Sequence, residues 1–334
     1  MNTKICIVGS TGHINYVLEG VRNDEQASVV GIAPGPEEEG VNGLLGAFSF
    51  SKNPPREFDG YEKMLKEMDP DVVVVACHFN NHARISTEAL GRDLHVFVEK
   101  PVATTLEDLD SVKKAYEDSD SFLATMFGIR YRPTFSTAKK IVEGGAIGEI
   151  RLMNAQKSYI LGERGEHYRK RESYGGTIPW VGSHAIDWLH WFSGREFKSV
   201  FASQSREYNR GHGDLESTAL CHFVLADEVL GNVTIDYLRP EEAPSHGDDR
   251  LRLVGSRGVL EVRDERVFLI NDEIEGVRRV PLRPVEKGIF GDFLNHVRGE
   301  GMCKVSAEDS FYVTETCLKA RLSADEGRVV ELGK

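Results

Sequence analysis

The stretch His95 to Pro101, HVFVEKP, decides the fold. Three apolar residues, Val96, Phe97 and Val98, stop abruptly at Glu99, Lys100 and Pro101. So short an apolar run reads as a buried strand, and it delivers its charged pair to the carboxyl edge of a sheet, where open α/β folds bind their ligands. Lys100 is therefore the leading catalytic candidate. Pro101 fixes the chain direction behind it, and Glu99 can hold its ammonium in one place. Burial at a cleft would draw its pKa toward neutrality, where it can exchange a proton with a substrate hydroxyl.

Working outward, the same pattern recurs across residues 4–127. KICIVG (4–9), SVVGIA (28–33), VVVVAC (72–77) and SFLATMF (121–127) are short and β-branched, and helical patterns at 12–22, 60–68, 81–91 and 105–117 lie between the strands. Thr104-Thr105-Leu106-Glu107 carries a capping-box signature for the last of these helices. Repeated βα units predict a doubly wound parallel sheet with right-handed crossovers, a Rossmann-type domain over residues 1–127. The acidic, Gly-rich segment 34–47 reads as a loop.

Beyond a helix at 134–144 the strand patterns lengthen and lose their partner helices: 149–160, 198–206, 217–225, 229–238, 250–255, 258–263 and 266–271. Short turns at 256–258 and 264–265 predict hairpins, hence an α+β domain over 128–334 built on a large, mainly antiparallel sheet. Helices at 288–298 and 306–323 close the chain, the second capped by Ser306. A sheet of that size with one face uncovered predicts self-association as a homodimer or homotetramer.

With 334 residues, 53 acidic against 41 basic side chains and a net charge of -12, the average surface repels nucleic acid and anionic membranes. No apolar run approaches the ~20 residues needed to cross a bilayer. MNTKICIVGS enters a strand pattern at once, and the five cysteines are scattered without CxxC spacing, so the expected compartment is the cytoplasm, without disulfides or a zinc ribbon.

The first strand runs into Gly9-Ser10-Thr11-Gly12-His13-Ile14, where a dinucleotide fold carries GxGxxG. Glycines there allow the tight turn, the approach of the pyrophosphate and close helix packing. Only Gly9 is in register, with Thr11 and Ile14 in the second and third glycine positions and Gly12 adjacent. The ribose-binding acid expected roughly 20 residues on is replaced by Ala33-Pro34-Gly35-Pro36, with Glu37 beyond, so neither NAD nor NADP is selected.

In the second domain, GGTIPWVGSHAIDWLHWFSG (175–194) holds every tryptophan of the chain. A helix starting near Trp180 would set Trp180, His184, Asp187, Trp188 and Trp191 within an arc of roughly 100°. Asp187 then orients the His184 imidazole, as a general base requires, while His190 points away, so no metal cluster is expected. Glu166-His167-Tyr168, in a loop rich in Arg and Lys, reads either as a solvated loop or as one that closes over a polar ligand.

Taken together, the Rossmann-like half with Glu99-Lys100-Pro101, then Gly175, Gly176 and His184, resembles the Gfo/Idh/MocA oxidoreductases, the family of glucose-fructose oxidoreductase and inositol dehydrogenase. His82 with the following EALGRDLHVFVEKP, Arg130-Tyr131-Arg132-Pro133 at the domain crossover, and residues 306–330 extend the resemblance over nearly the whole chain. It implies an NAD- or NADP-dependent hydride transfer at a secondary alcohol of a sugar, cyclitol or related polyol. Lys100 would be the acid/base, with His184 and Asp187 completing the catalytic set. Gly9, Thr11, Gly12, His13, Ile14, Cys77, His78, His82, Glu99 and Lys100 would bind the cofactor, and Lys100, Arg130, Tyr168, Trp180 and His184 the substrate. Two departures stand out. Trp180 occupies the position of a carboxylate often found one helical turn before the histidine, and Cys77-His78-Phe79 replaces a Thr-Pro-Asn. Trp180 and the incomplete glycine fingerprint support an alternative, a catalytically weakened sensor of a sugar or dinucleotide on the same fold.

Overall fold

Val72 to Val75 are shut off from solvent on both faces, as a run of four valines in the middle of a parallel sheet must be. The computed structural model describes residues 2–36, 41–51 and 53–333. It divides into two compact units, Met1–Gly128 with Lys287–Thr314, and Ile129–Glu286 with Glu315–Lys334.

The first unit contains β1 (Thr3–Val8), β2 (Ala27–Ala33), β3 (Arg56–Glu57), β4 (Val72–Val75), β5 (His95–Val98) and β6 (Leu123–Thr125). They form one parallel sheet in the order β3-β2-β1-β4-β5-β6. The strand order reverses between β1 and β4, which opens a crevice beyond their carboxyl ends. The connecting helices are α1 (Asn15–Arg22), α2 (Asn42–Ala47), α3 (Tyr61–Met68), α4 (His82–Leu90) and α5 (Leu106–Glu117). Helix α2 corrects the loop expected at 34–47: Val41, Leu44 and Phe48 are buried, and their apolar contacts override the glycines. Glu37 lies outside the described residues. The cap of α5 is Thr105, whose Oγ1 accepts from the Asp108 amide at 3.1 Å, one residue later than the capping box predicts.

The second unit contains α6 (Pro133–Glu143), β7 (Ile150–Tyr159), α7 (Arg171–Tyr174), α8 (Ser183–Ser193), β8 (Phe197–Ser205), β9 (Thr218–Leu225), β10 (Leu230–Asp236), β11 (Gly247–Gly255), β12 (Gly258–Arg263), β13 (Arg266–Asn271), β14 (Ile274–Val280) and β15 (Val330–Glu331). Its nine strands run β14-β13-β12-β11-β7-β10-β9-β8-β15, antiparallel except for the pair β7 and β10. Asp264 and Glu265, both at positive φ, make the two-residue turn between β12 and β13. Strand β14, polar and interrupted by Gly276, lacks the alternation that would reveal it. Helix α8 packs along β7 and β10, and glycines allow the approach. A Cβ on Gly182 would stand 2.5 Å from Ile235 Cδ1, and one on Gly231 2.9 Å from Leu189 Cδ1.

The remaining helices are α9 (Ile289–Val297) and α10 (Ala307–Glu326). Phe290 and Phe293 of α9 each pack 5.0 Å from the Phe97 ring of β5, and Ser310 of α10 accepts the Thr125 amide at 3.0 Å. Residues 287–314 therefore return to the first unit, which corrects the expectation of one contiguous second domain from 128 to 334. The reason is the apolar surface of β5, which α9 covers. Ser306 caps α10 as expected, accepting from the Asp309 amide at 3.0 Å.

Candidate active site

In the first unit, the turn after β1 is built against the end of β4. Gly9 sits at φ +82°, and a Cβ there would lie 2.5 Å from both the Ala76 oxygen and the Cys77 Cα. Thr11 fastens the turn from above, its amide donating to the Ala76 oxygen at 2.7 Å and its hydroxyl lying 2.9 Å from the Ala76 and Cys77 oxygens. Its side chain is thus directed at β4, so it stands in a glycine position without occupying the space a glycine would leave open. Gly12, at φ +65°, makes the close approach instead. A Cβ there would be 2.7 Å from Glu99 Cδ and Cγ.

Glu99 is the fully buried keystone of this arrangement. Its oxygens lie 2.9 and 3.1 Å from His13 Nδ1, and Oε1 lies 3.4 Å from Lys100 Nζ. Burial opposes its ionisation, but His13 and Lys100 outweigh that and hold its pKa down at about 2. Lys100 is itself only 2% exposed and is joined to Pro101 by a cis peptide bond.

Behind the pair, the buried His82 ring spans two loops, with Nδ1 2.8 Å from the Pro101 oxygen and Nε2 3.0 Å from the Cys77 oxygen. Burial pushes its pKa below the usual value, against the pull of the Pro101 carbonyl, Glu99 and the Cys77 carbonyl. His82 braces the Lys100 loop against the loop that follows β4. Cys77 is buried beside it, and His78 precedes the single 3-10 turn that leads into α4.

A dinucleotide fits this turn. The glycine contacts show a loop with no room for side chains toward β4 and Glu99. Helix α1 starts at Ile14 without a side-chain cap among the described residues, the arrangement a pyrophosphate needs.

In the second unit, Gly175 and Gly176, at φ +78° and +107°, turn the chain into α8. The turn is held by the buried Glu216, which accepts the Thr177 amide at 2.9 Å and pairs with Arg171. Glu216 was not foreseen from the sequence; a lone acid ahead of a strand carries no local signal. Residues Ile178–Gly182 form a π-helical turn before α8, so the α-helical arc from Trp180 to Trp191 does not exist as drawn. Nor is α8 amphipathic, since Ser183 to Leu189 are all buried.

Two expected roles change. Arg130 is 1% exposed, and its Nε lies 3.1 Å from both Asp187 oxygens, its Nη2 2.5 Å from Oδ1. The expected partner of His184 is thus half of a buried ion pair, and the expected substrate arginine is the other half. The pair anchors α8 to the segment ahead of α6. His184 is buried on the first turn of α8, one turn after Trp180. Tyr168 closes on Trp180 with ring centres 4.8 Å apart, and Tyr174 lies 5.8 Å away. The structure brings together Gly9, Thr11, Gly12, His13, Cys77, His82, Glu99 and Lys100 in the first unit, and Tyr168, Trp180 and His184 on connected elements of the second.

Residues 3–127 match the model of an oxidoreductase family with an NAD-binding Rossmann fold, and residues 135–261 match the GFO/IDH/MocA C-terminal domain. The chain belongs to the Gfo/Idh/MocA family. Its first unit is accordingly an NAD-binding domain. A solved structure from Thermotoga maritima, provisionally assigned as an oxidoreductase, is 53% identical, covers 98% of this chain and 99% of its own, and superposes with a TM-score of 0.94. The myo-inositol 2-dehydrogenase of the same organism is 25% identical over 81% of this chain and 82% of its own length. YteT of Bacillus subtilis, also a provisional oxidoreductase, is 28% identical over 45% of this chain and 36% of its own. The chain thus spans only about a third of that relative's length.

Proposed function

We propose that this chain is an NAD(P)-dependent dehydrogenase that oxidises a secondary alcohol of a sugar, cyclitol or related polyol. The observation that carries the reading is Gly12 seated on Glu99 with Lys100 beside it: one contact couples the dinucleotide turn to the only lysine of the EKP stretch. Gly9, Thr11, Gly12, His13 and Ile14 would hold the dinucleotide, with Cys77 and His78 on the adjoining loop. When bound, the nicotinamide supplies the hydride acceptor. Lys100 Nζ, in its neutral amine form, takes the proton of the substrate hydroxyl as the alcohol becomes a carbonyl, and Glu99 fixes that nitrogen in place. His82 keeps the Lys100 loop from shifting. Tyr168, Trp180 and His184 are the residues we assign to substrate recognition in the second unit.

Lys100→Ala is expected to retain dinucleotide binding and to lose turnover on a substrate found by screening by roughly 10²- to 10⁴-fold. Full turnover in that variant would remove Lys100 from the reaction. The second reading, a sensor, is favoured by Asp187 being tied up by Arg130 and by Trp180 standing in place of a carboxylate. Dinucleotide binding with no reduction in the presence of any polyol would select it. Leu152, Phe201, Leu220 and Leu230 are exposed on the large sheet and support assembly as a homodimer or homotetramer. Light scattering that finds only monomer would exclude that.

A further inference from the structure

Arg164 stands out among the charged side chains of the second unit. It is half-buried, and its guanidinium carbon lies 5.8 Å from the Tyr168 ring centre, 5.5 Å from Trp180 and 5.3 Å from Tyr237. Its one hydrogen bond among the described residues is from Nη2 to the Ile160 oxygen, at 3.3 Å. Nε is buried without a partner, and no carboxylate among the described residues pairs with it. Arg132, Arg171, Arg195 and Arg298 each pair with a carboxylate. Arg164 is instead laid over three aromatic faces, with donors that no carboxylate among the described residues takes.

We propose that Arg164 is the anion-recognising residue of the substrate site, and that the substrate is a sugar or polyol bearing a carboxylate, an aldonate or uronate. The inference deepens the dehydrogenase reading and rests on it. Trp180 and Tyr168, which already touch each other, offer ring faces to the C–H surface of a sugar, and Arg164 above them offers paired donors to a planar carboxylate.

A single forked guanidinium matches the planar, singly charged carboxylate. Lys157 and Arg132 share the Asp249 carboxylate, the latter at 3.0 Å. Burial, then Arg164 and Lys157, lower the pKa of His246, which stacks 5.0 Å from Tyr159. Glu241, which pulls His246 the other way, is paired with Arg210 at 2.8 Å. Arg164 has no carboxylate partner among the described residues.

The test is calorimetric binding to the full chain, alone and with NAD(H), of D-gluconate and D-glucuronate against their neutral counterparts D-glucitol and D-glucose. The acids are expected to bind at least about tenfold more tightly. Arg164→Gln is expected to raise the Kd of the acids by roughly ten- to a hundredfold and leave the neutral compounds unchanged, with Arg164→Lys between them. Unfolding midpoints without ligand confirm that the variants are folded. Equal binding of acids and neutral compounds, unchanged acid binding by Arg164→Gln, or no binding of either acid to the wild type overturns the proposal. Acid binding that depends on Arg164 in a protein that binds no dinucleotide would sustain Arg164 and sink the dehydrogenase reading. Turnover of neutral polyols that ignores Arg164 would do the reverse.

Discussion

Replacing Gly12 with alanine adds one methyl group, and the structure says where it goes. The new Cβ would lie 2.7 Å from Glu99 Cδ and Cγ and 2.9 Å from Oε1, against an ordinary carbon contact of about 3.5–4.0 Å. Glu99 cannot swing aside without leaving His13 and Lys100, which hold it at 2.9 and 3.4 Å. The residue also sits at φ +65°, where an L side chain costs roughly 1–2 kcal/mol. Overpacking adds about 1–3 kcal/mol, so the first unit should lose roughly 2–5 kcal/mol in all. Gly43 provides the control: it lies within α2 with nothing near its added Cβ, so Gly43→Ala should stabilise by about 0.5–1 kcal/mol. Urea unfolding of both variants, followed through the first unit's transition, reads the difference directly. A Gly12→Ala protein within about 0.5 kcal/mol of wild type would mean that the turn does not rest on Glu99, and the coupling of cofactor turn to Lys100 would fall with it.

The remaining predictions concern the two buried charge sites. Glu99, with its pKa held at about 2 rather than 4.5, contributes stability that is complete above about pH 4.5 and lost as pH falls toward 2, on the order of 3 kcal/mol. Stability curves of wild type and Glu99→Gln between about pH 6 and 2.5 should therefore converge in acid; parallel curves would show that the carboxylate is not stabilised by the fold. Asp187→Asn leaves Arg130 buried without its anion and should cost about 3–5 kcal/mol, whereas Asp187 acting only as a proton carrier would leave stability unchanged; thermal unfolding separates the two.

The fold was legible wherever a strand is buried on both faces, because Val72–Val75 and Val96–Val98 have no other stable use for so much apolar, β-branched surface. It was not legible where burial depends on distant partners. Helix α2 forms because Leu44 and Phe48 find a core, and α9 returns to the first unit because Phe97 needs Phe290 and Phe293. Sequence distance hides both facts: Phe97 and Phe290 are separated by most of the second unit. Composition cannot report that a covering helix comes from the far end of the chain.

The candidate site divides along the same line. Lys100 could be found because a charge at the end of a buried strand is anomalous on local grounds. The dinucleotide turn was read as eroded because spacing counts glycines, whereas the structure requires only that nothing intrude at two places. Gly9 clears the Cys77 backbone and Gly12 clears Glu99, while Thr11 turns its hydroxyl into the β4 end and needs no glycine. The phase of α8 was misjudged for a different reason. A helical wheel assumes one repeat throughout, and the π turn at Ile178–Gly182 breaks that repeat between Trp180 and Asp187. With the phase broken, Asp187 meets Arg130, a pairing that no spacing rule predicts. Arg164, in the same unit, has three aromatic rings about it and no carboxylate partner among the described residues, and no spacing rule predicts that either.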